Sequence, residues 1–366
     1  VVHGTDVWDA LSFMPLDLAL ALPGALETLT GGSFYDRRLV GSLRGAGHGV
    51  AVVTLPDGFP DPGAAAMASA VAQLAAQPAG RVVIVDGLAF GALPTAAVAG
   101  ITAPLVALVH HPLAMEPGLD PAVAEALWRR ERDNLALARH VLVPSGHVAG
   151  LLVARYGVPR ARIEVLEPGV DRPAAAEVAR AVPPLILSVG LLDPRKGHDV
   201  LITALEGLGD LDWQAVIAGT PRDAAHVAAL EAQLAASPLR GRIRLAGRVS
   251  MEERDRLYAQ ASVFALATRY EGYGIVFNEA LLAGLPIVSC RAGAVPDTVP
   301  AEAGLLVPPD DPAAFAAALR VVLTDAARRA AMAGAAQRAG AALPGWDAVA
   351  RRAAEVLARV VAEVRA

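Results

Sequence analysis

Two short segments in the second half of the chain hold residues whose types and spacing suit an anion and a sugar. In GLLDPRKGHDVLITAL, Arg195 and Lys196 stand side by side just before a helical pattern, and Lys196 is the only lysine in the chain. Arginine offers a planar fork and lysine a compact charge, a combination suited to a diphosphate. A helix N-terminus directly after them adds backbone donors and a dipole worth about 0.3–1 kcal/mol to an anion. The plain alternative is a surface lysine with no task. Further along, RYEGYGIVFNEAL sets Glu271 and Glu279 on either side of a glycine-broken aromatic pair. The pattern predicts a helix from near Gly274 to Gly284, with Glu271 in the loop before it and Glu279 in its second turn. Glu279 could then bridge the two vicinal hydroxyls of a ribose, while the leading N–H groups of Gly274, Ile275 and Val276 face phosphates. A helix glutamate is ordinarily solvated, yet Ile275, Val276, Leu281 and Leu282 leave little polar face around this one, and a carboxylate in such company needs donors.

The first half offers fewer signals. VALVHHPLAMEPGL ends an apolar run with His110 and His111. As a metal site the pair is poor, because adjacent strand residues point apart and no further His, Cys or Asp cluster is evident nearby. Glu116 reads either as an acceptor-side carboxylate or as an ordinary loop charge. Gly31 and Gly32 in LTGGSFYDRRL read either as a loop whose bare backbone lets phosphates approach or as a plain left-handed turn.

These residues need a scaffold, and the rest of the chain describes one. At 366 residues the chain suits two cores. Its apolar fraction of 54% is high, and the mean hydropathy of +0.44 reflects alanine richness; no uninterrupted apolar run reaches the roughly 18–20 residues of a membrane span. A net charge of −5 argues against nucleic-acid binding through a general basic field. Cys290 stands alone, so an internal disulfide and a thiolate metal cluster are excluded, and a cytoplasmic setting fits. The N-terminus lacks the basic start of an export signal, and residues 1–13 read as an upstream extension.

Compact apolar segments such as LDLALALPG, GVAVVTLP, RVVIVDG and APLVALVHHP alternate with helical stretches, as buried parallel strands in a βαβ series do. RPAAAEVARAVPP interrupts the rhythm as a linker, after which LILSVG, WQAVIAG, RIRLAG, ASVFALA, LPIVSC and GLLVPP begin a second series. The expectation is two doubly wound α/β domains, 14–172 and 183–344, facing a central cleft. A final helix, 345–366, packs back onto the first. Ligands of such sheets bind at the carboxyl ends of the strands. LWRRERDNLALARH is basic with a tryptophan and could lie on anionic lipid, but its interleaved acids favour a solvated helix.

The run RYEGYGIVFNEALLAGLPIVSCRAGAVPDTVP, with SVGLLDPRKG before it and AGLLVPPDDPAAFAAAL after it, resembles the donor-nucleotide domain of the retaining glycosyltransferases of family 4, which have the two-domain GT-B fold. Glu271 and Glu279 match the family's E-x7-E motif. The resemblance covers essentially the whole chain after Met14. It implies that Arg195 and Lys196 hold the donor diphosphate, Glu279 the ribose and Glu271 the transferred sugar. Arg248 and Val249 would border the base, and Gly272, Gly274, Ile275 and Val276 would line the donor site. Gly31 and Gly32 match the family's first-domain glycine loop, and His110 its cleft histidine. Where many members have Pro-Ser before the motif, this chain has Ala267 and Thr268, followed by an added charge, Arg269, that could pair with Glu271 or meet an anionic acceptor. Asp210 and Asp212 form a D-x-D like that of the other main glycosyltransferase fold, but in a setting that reads as turn chemistry.

The implied reaction is transfer of a sugar from a nucleoside-diphosphate donor with retained configuration and no metal cofactor. The acceptor depends on first-domain loops without a fixed motif. The alternatives are a GT-B epimerase or nucleotide-sugar hydrolase, and a non-catalytic partner subunit, against which intact Arg195, Lys196, Glu271 and Glu279 speak. An NAD-dependent dehydrogenase is disfavoured, since no G-x-G-x-x-G follows either opening strand.

Overall fold

The computed structural model describes residues 15–27, 30–116, 118–172 and 178–365, so the extension before Met14 and the centre of the polar interruption lie outside the described residues. The chain divides into two compact units, Val1–Gly169 with Pro344–Ala366, and Val170–Leu343.

The first unit is built on β1 (Asp17–Pro23), β2 (Gly49–Leu55), β3 (Val82–Asp86), β4 (Leu105–Leu108), β5 (His140–Val143) and β6 (Ile163–Val165). They form one six-stranded sheet in the order β2-β1-β3-β4-β5-β6, with every pairing parallel. In β1, Leu18, Ala19, Leu20 and Ala21 are all fully buried, because helices cover both faces of a parallel sheet and leave no side for polar residues.

The second unit repeats the plan with β7 (Leu185–Val189), β8 (Gln214–Ala218), β9 (Ile243–Gly247), β10 (Val263–Leu266), β11 (Ile287–Cys290) and β12 (Gly304–Val307). Its order is β12-β11-β10-β7-β8-β9, again parallel. One face is packed by Trp213, Leu201 and Phe315, the other by Tyr258, Phe264 and Phe277. The protein is therefore α/β with two doubly wound parallel sheets. Each order reverses direction once, at β1/β3 and at β7/β10, and such switch points open a crevice at the carboxyl ends of the two strands.

The last helix, Trp346–Arg365, buries Trp346, Val349, Ala350, Ala353, Leu357 and Val360, a spacing that lines one helical face. Trp346 packs edge-on to Tyr35 of the helix Gly31–Gly45, 5.3 Å between centroids. Gly169 passes so close to this helix that a Cβ there would stand 2.6 Å from Trp346 backbone atoms. Near the boundary, Arg172 donates to the carbonyls of Ala341 and Leu343, and Arg180 to those of Tyr258, Ala259 and Ala261. The described parts of the expected linker are thus anchored in the second unit.

Among the described residues no helix is long and apolar enough to cross a membrane. On the helix Pro121–Leu137, the Trp128 indole donates to the Arg155 carbonyl and Arg132 covers its ring at 4.9 Å.

Candidate functional site

In the second unit the loops after β7 and β10 meet at the switch point. Asp193 accepts from the Arg195 N–H at 2.9 Å and starts a tight turn through Lys196. Gly197 ends that turn at φ 63°, and a Cβ there would lie 1.9 Å from the Ala267 carbonyl oxygen. Only glycine meets both demands. The Arg269 N–H donates to the Arg195 carbonyl at 2.8 Å, and Arg195 Nη1 donates to the Tyr270 carbonyl at 3.1 Å. The two loops are stitched into one platform.

On this platform Lys196 Nζ donates to Glu271 Oε1 at 2.6 Å, with Arg195 Nη1 3.7 Å from Oε2. The Thr268 hydroxyl lies 3.0 Å from Glu271 Oε1 and 3.1 Å from the Arg195 carbonyl, with one hydrogen to give. Glu271 is 4% exposed and Lys196 8%. Burial pushes the Glu271 carboxyl up, but Lys196 and Arg195 outweigh it, so its pKa is lowered and it stays ionised. Burial lowers the Lys196 ammonium, against the pull of Glu271. Arg269 faces away from Glu271. It binds Asp199 through both carboxylate oxygens, at 3.0 and 2.7 Å, and Asp310 at 2.7 Å, which fastens the platform to the helix His198–Glu206.

The helix Ile275–Leu282 follows, with Gly274 at its start in a left-handed conformation (φ 93°). A Cβ on Gly274 would meet the Phe277 ring at 2.6 Å. Gly272 lies in the turn between the glutamate and the helix, and Ile275 and Val276 are its first residues, whose N–H groups have no i−4 carbonyl within the helix. Glu279 has its donor in Arg254, at 3.2 Å on the helix Met251–Gln260. Burial raises the Glu279 pKa, opposed by Arg254 and the Tyr258 hydroxyl. Arg254 escaped the sequence reading because it lies 25 residues before Glu279, on the other side of β10, although a carboxylate in apolar company calls for such a donor. Arg248 and Val249 follow β9; Arg248 is exposed and Val249 is half-buried. Asp210 pairs with Arg320 at 2.6 Å in the turn before β8, so the D-x-D is turn chemistry.

The first unit corrects two expectations. Gly31 and Gly32 form neither a loop nor a left-handed turn: they open the helix Gly31–Gly45, capped by Thr30, whose hydroxyl accepts from the Ser33 N–H at 3.1 Å. A Cβ on Gly32 would come within 3.2 Å of the His110 ring, so the glycine makes room for the histidine. His110 also has acidic neighbours that the linear sequence concealed. Its Nε2 lies 2.8 Å from Asp36 Oδ1 and 3.8 Å from Asp86 Oδ2. Asp36 sits on the helix Gly31–Gly45 and Asp86 ends β3, at the switch point. One oxygen of each carboxylate and the His110 Nε2 lie within 4.8 Å of one another, the only such group of three among the described residues; the observed geometry is a hydrogen bond between His110 and Asp36. A carboxylate at the end of a buried run, as in VVIVDG, was the visible signal for Asp86. His111 turns elsewhere, 3.3 Å from Glu116.

Both units therefore place polar side chains at the switch point of a parallel α/β sheet, where such sheets take their ligands. The chain belongs to the glycosyltransferases of group 1 and family 4: residues 174–339 match the model for glycosyl transferases group 1, and residues 30–172 that for glycosyltransferase family 4. Among similar proteins, D-inositol 3-phosphate glycosyltransferase of Salinispora tropica is 31% identical over 263 residues, covering 64% of this chain and 54% of the relative. A GDP-mannose-dependent alpha-(1-6)-phosphatidylinositol monomannoside mannosyltransferase of Mycobacterium tuberculosis is 30% identical over 257 residues, covering 64% of this chain and 65% of that one. The chain spans about half the length of the first of these relatives. Sucrose-phosphate synthase from Thermosynechococcus elongatus shares the fold, with TM-score 0.78 at 21% identity over 94% of this chain and 100% of that one. So does HepE of Anabaena, solved with UDP-glucose, with TM-score 0.74 at 18% identity over 93% and 99% of the two chains.

Proposed function

We propose that the protein transfers a sugar from a nucleoside-diphosphate donor to an acceptor, with retention of configuration and without a metal cofactor. The observation that carries this reading is the platform of half-buried Arg195 with buried Lys196 and Glu271 at the β7/β10 switch point. Two cations against one carboxylate leave an excess of positive charge, which suits a diphosphate in the place where a parallel sheet takes its ligand. The excess also takes over the neutralisation that a divalent ion supplies elsewhere. Lys196 and Arg195 stabilise the departing diphosphate, Glu271 orients the transferred sugar, and Glu279 takes the ribose. Gly272, Gly274, Ile275 and Val276 line the phosphate side, and Arg248 and Val249 the base. His110 serves the sugar or the acceptor. No side chain is assigned as a covalent nucleophile; same-face attack with the departing phosphate as base accounts for retention. The solved complexes of HepE with UDP and UDP-glucose support a nucleotide-sugar donor. The names of the relatives make an inositol-bearing acceptor the first class to screen. A cytoplasmic reaction suits a chain with one cysteine, buried in the core.

The test is a thermal-shift series with UDP, GDP, ADP and their sugar conjugates, in chelator throughout. A ligand at 100 times its Kd adds about 2.7 kcal/mol of stability. Stabilisation by one nucleotide family confirms a metal-free donor site and names its base; the absence of any shift, or a shift seen only after adding a divalent ion, refutes the proposal as stated.

A further inference from the structure

His110 is held through its Nε2 and through the face of its ring. Its Nε2 meets Asp36 Oδ1 at 2.8 Å, and Asp86 Oδ2 stands behind at 3.8 Å. The other oxygen of Asp86 accepts from the Leu88 N–H at 2.8 Å, which holds that carboxyl in place. Gly32 lies against the ring, and Tyr35 packs edge-on at 5.0 Å between centroids. Asp36 is 1% exposed, and its one hydrogen-bond partner among the described side chains is His110. A carboxylate buried so deeply is unfavourable unless a hydrogen-bonded partner offsets its desolvation. An ionised carboxylate accepts and never donates, so the proton of a neutral His110 resides on Nε2. That leaves Nδ1, which bonds no described residue, on a side chain 20% exposed.

From this geometry we infer that Asp36 is a positioning residue for His110, fixing the Nε2–H and holding Nδ1 ready for an oxygen of a bound sugar, acceptor or phosphate. The nature of that oxygen rests on the sugar-transfer reading above; the Asp36–His110 relation does not. Burial disfavours the imidazolium, but Asp36 and then Asp86 outweigh it and raise the His110 pKa. Asp86 is itself pushed up to about 7, by burial and then by Asp36. Protonated His110 presents Nδ1–H as a donor to developing negative charge. The groups facing it are Asp36 from the helix Gly31–Gly45, Asp86 from the end of β3, and Tyr35, whose hydroxyl is turned to the Leu166 carbonyl at 2.8 Å. Trp346 of the last helix, packed on Tyr35, carries no charge.

The test uses the full chain as wild type, Asp36→Asn, His110→Gln and the double variant. Long-range ¹⁵N NMR of the imidazoles follows the His110 tautomer and pKa, with His110→Gln assigning the signal. Turnover is read as nucleotide release from UDP-glucose and GDP-mannose over a pH series. The expected result is an Nε2–H tautomer with a raised pKa in the wild type, and loss of both in Asp36→Asn. Turnover in Asp36→Asn should fall roughly 100-fold at unchanged donor KM, the lower end for an acid–base group. The alkaline limb of its pH profile should move to lower pH, and the double variant should be no worse than His110→Gln. An unchanged tautomer and pKa in Asp36→Asn, additive losses, or wild-type activity abolished by chelator and restored by Mn²⁺ would overturn the inference. Should the wild type turn over neither probe, the donor reading fails, while the imidazole titration still decides the role of Asp36.

Discussion

The two polar clusters occupy equivalent places, each at the switch point of a six-stranded parallel sheet, yet their charge balance is opposite. At β7/β10 two cations, Arg195 and Lys196, surround one carboxylate, Glu271. At β1/β3 two carboxylates, Asp36 and Asp86, surround one imidazole. The same scaffold thus carries an anion-attracting platform in one unit and a proton-retaining one in the other. What differs is how they are assembled. The first comes from two short motifs on adjacent strands, the second from a helix, a strand end and a loop far apart in sequence. The fold dictates where chemistry happens, and the loops decide its sign.

The largest effect expected on this contrast comes from Lys196→Ala. Removing a preorganised cation from developing charge costs about 10²- to 10³-fold in turnover. Breaking the buried pair leaves Glu271 with Arg195 and Thr268, so the stability lost should stay below the roughly 3–5 kcal/mol of a wholly unpaired buried charge. Chemical denaturation alongside nucleotide-release kinetics separates the two losses, and a variant as stable and active as the wild type would show that the platform is not the seat of the chemistry.

A smaller change is expected at the edge of the same site. If Glu279 takes the ribose as proposed, Glu279→Ala should weaken nucleotide binding by about 1.5–3 kcal/mol, read by calorimetry with the nucleotide that stabilises the wild type. Unaltered affinity would take Glu279 out of the donor site and leave it as the partner of Arg254.

A separate expectation, read as a slope with pH, concerns the proton-retaining unit. Glu131, 1% exposed on the helix Pro121–Leu137, accepts from the Leu113 N–H at 3.0 Å and so ties down the loop after His110. Burial pushes its pKa from 4.5 to about 8. A carboxyl raised in the folded state contributes stability that is fully present below its unfolded pKa. That contribution is lost as pH rises towards the folded value. Between pH 4.5 and about 8 the wild type should therefore lose stability relative to Glu131→Gln, by at most about 1.4 kcal/mol per pH unit. Parallel stability curves for the two proteins over that range would show that Glu131 is ionised in the fold.

Much of the fold was legible because buried parallel strands are locally distinctive. Runs such as LALALP and VVIVD are apolar on both faces and end in turn residues, so these two strands reappear within a residue or two of the expected bounds, while APLVALVHHP keeps only Leu105–Leu108 as strand. The glycine pair misled for a local reason. Glycine signals a turn through its tolerance of positive φ, but Gly31 and Gly32 are helical, and Gly32 is small because the His110 ring lies against it. Arg269 shows the converse: its charge was plain, while its partners, Asp199 and Asp310, depend on how distant loops pack.

By itself the sequence determined the α/β class and its two strand series. It also determined the Arg195-Lys196 loop and the pair Glu271 and Glu279, because each depends on residues close enough in the chain for periodicity and spacing to speak. Only the tertiary structure decided that Lys196 bonds Glu271, that Arg254 supplies the donor Glu279 needs, and that Asp36 and Asp86 converge on His110. A parallel sheet brings the ends of distant strands to one edge, and burial there makes hydrogen bonds and ionisation depend on neighbours in space.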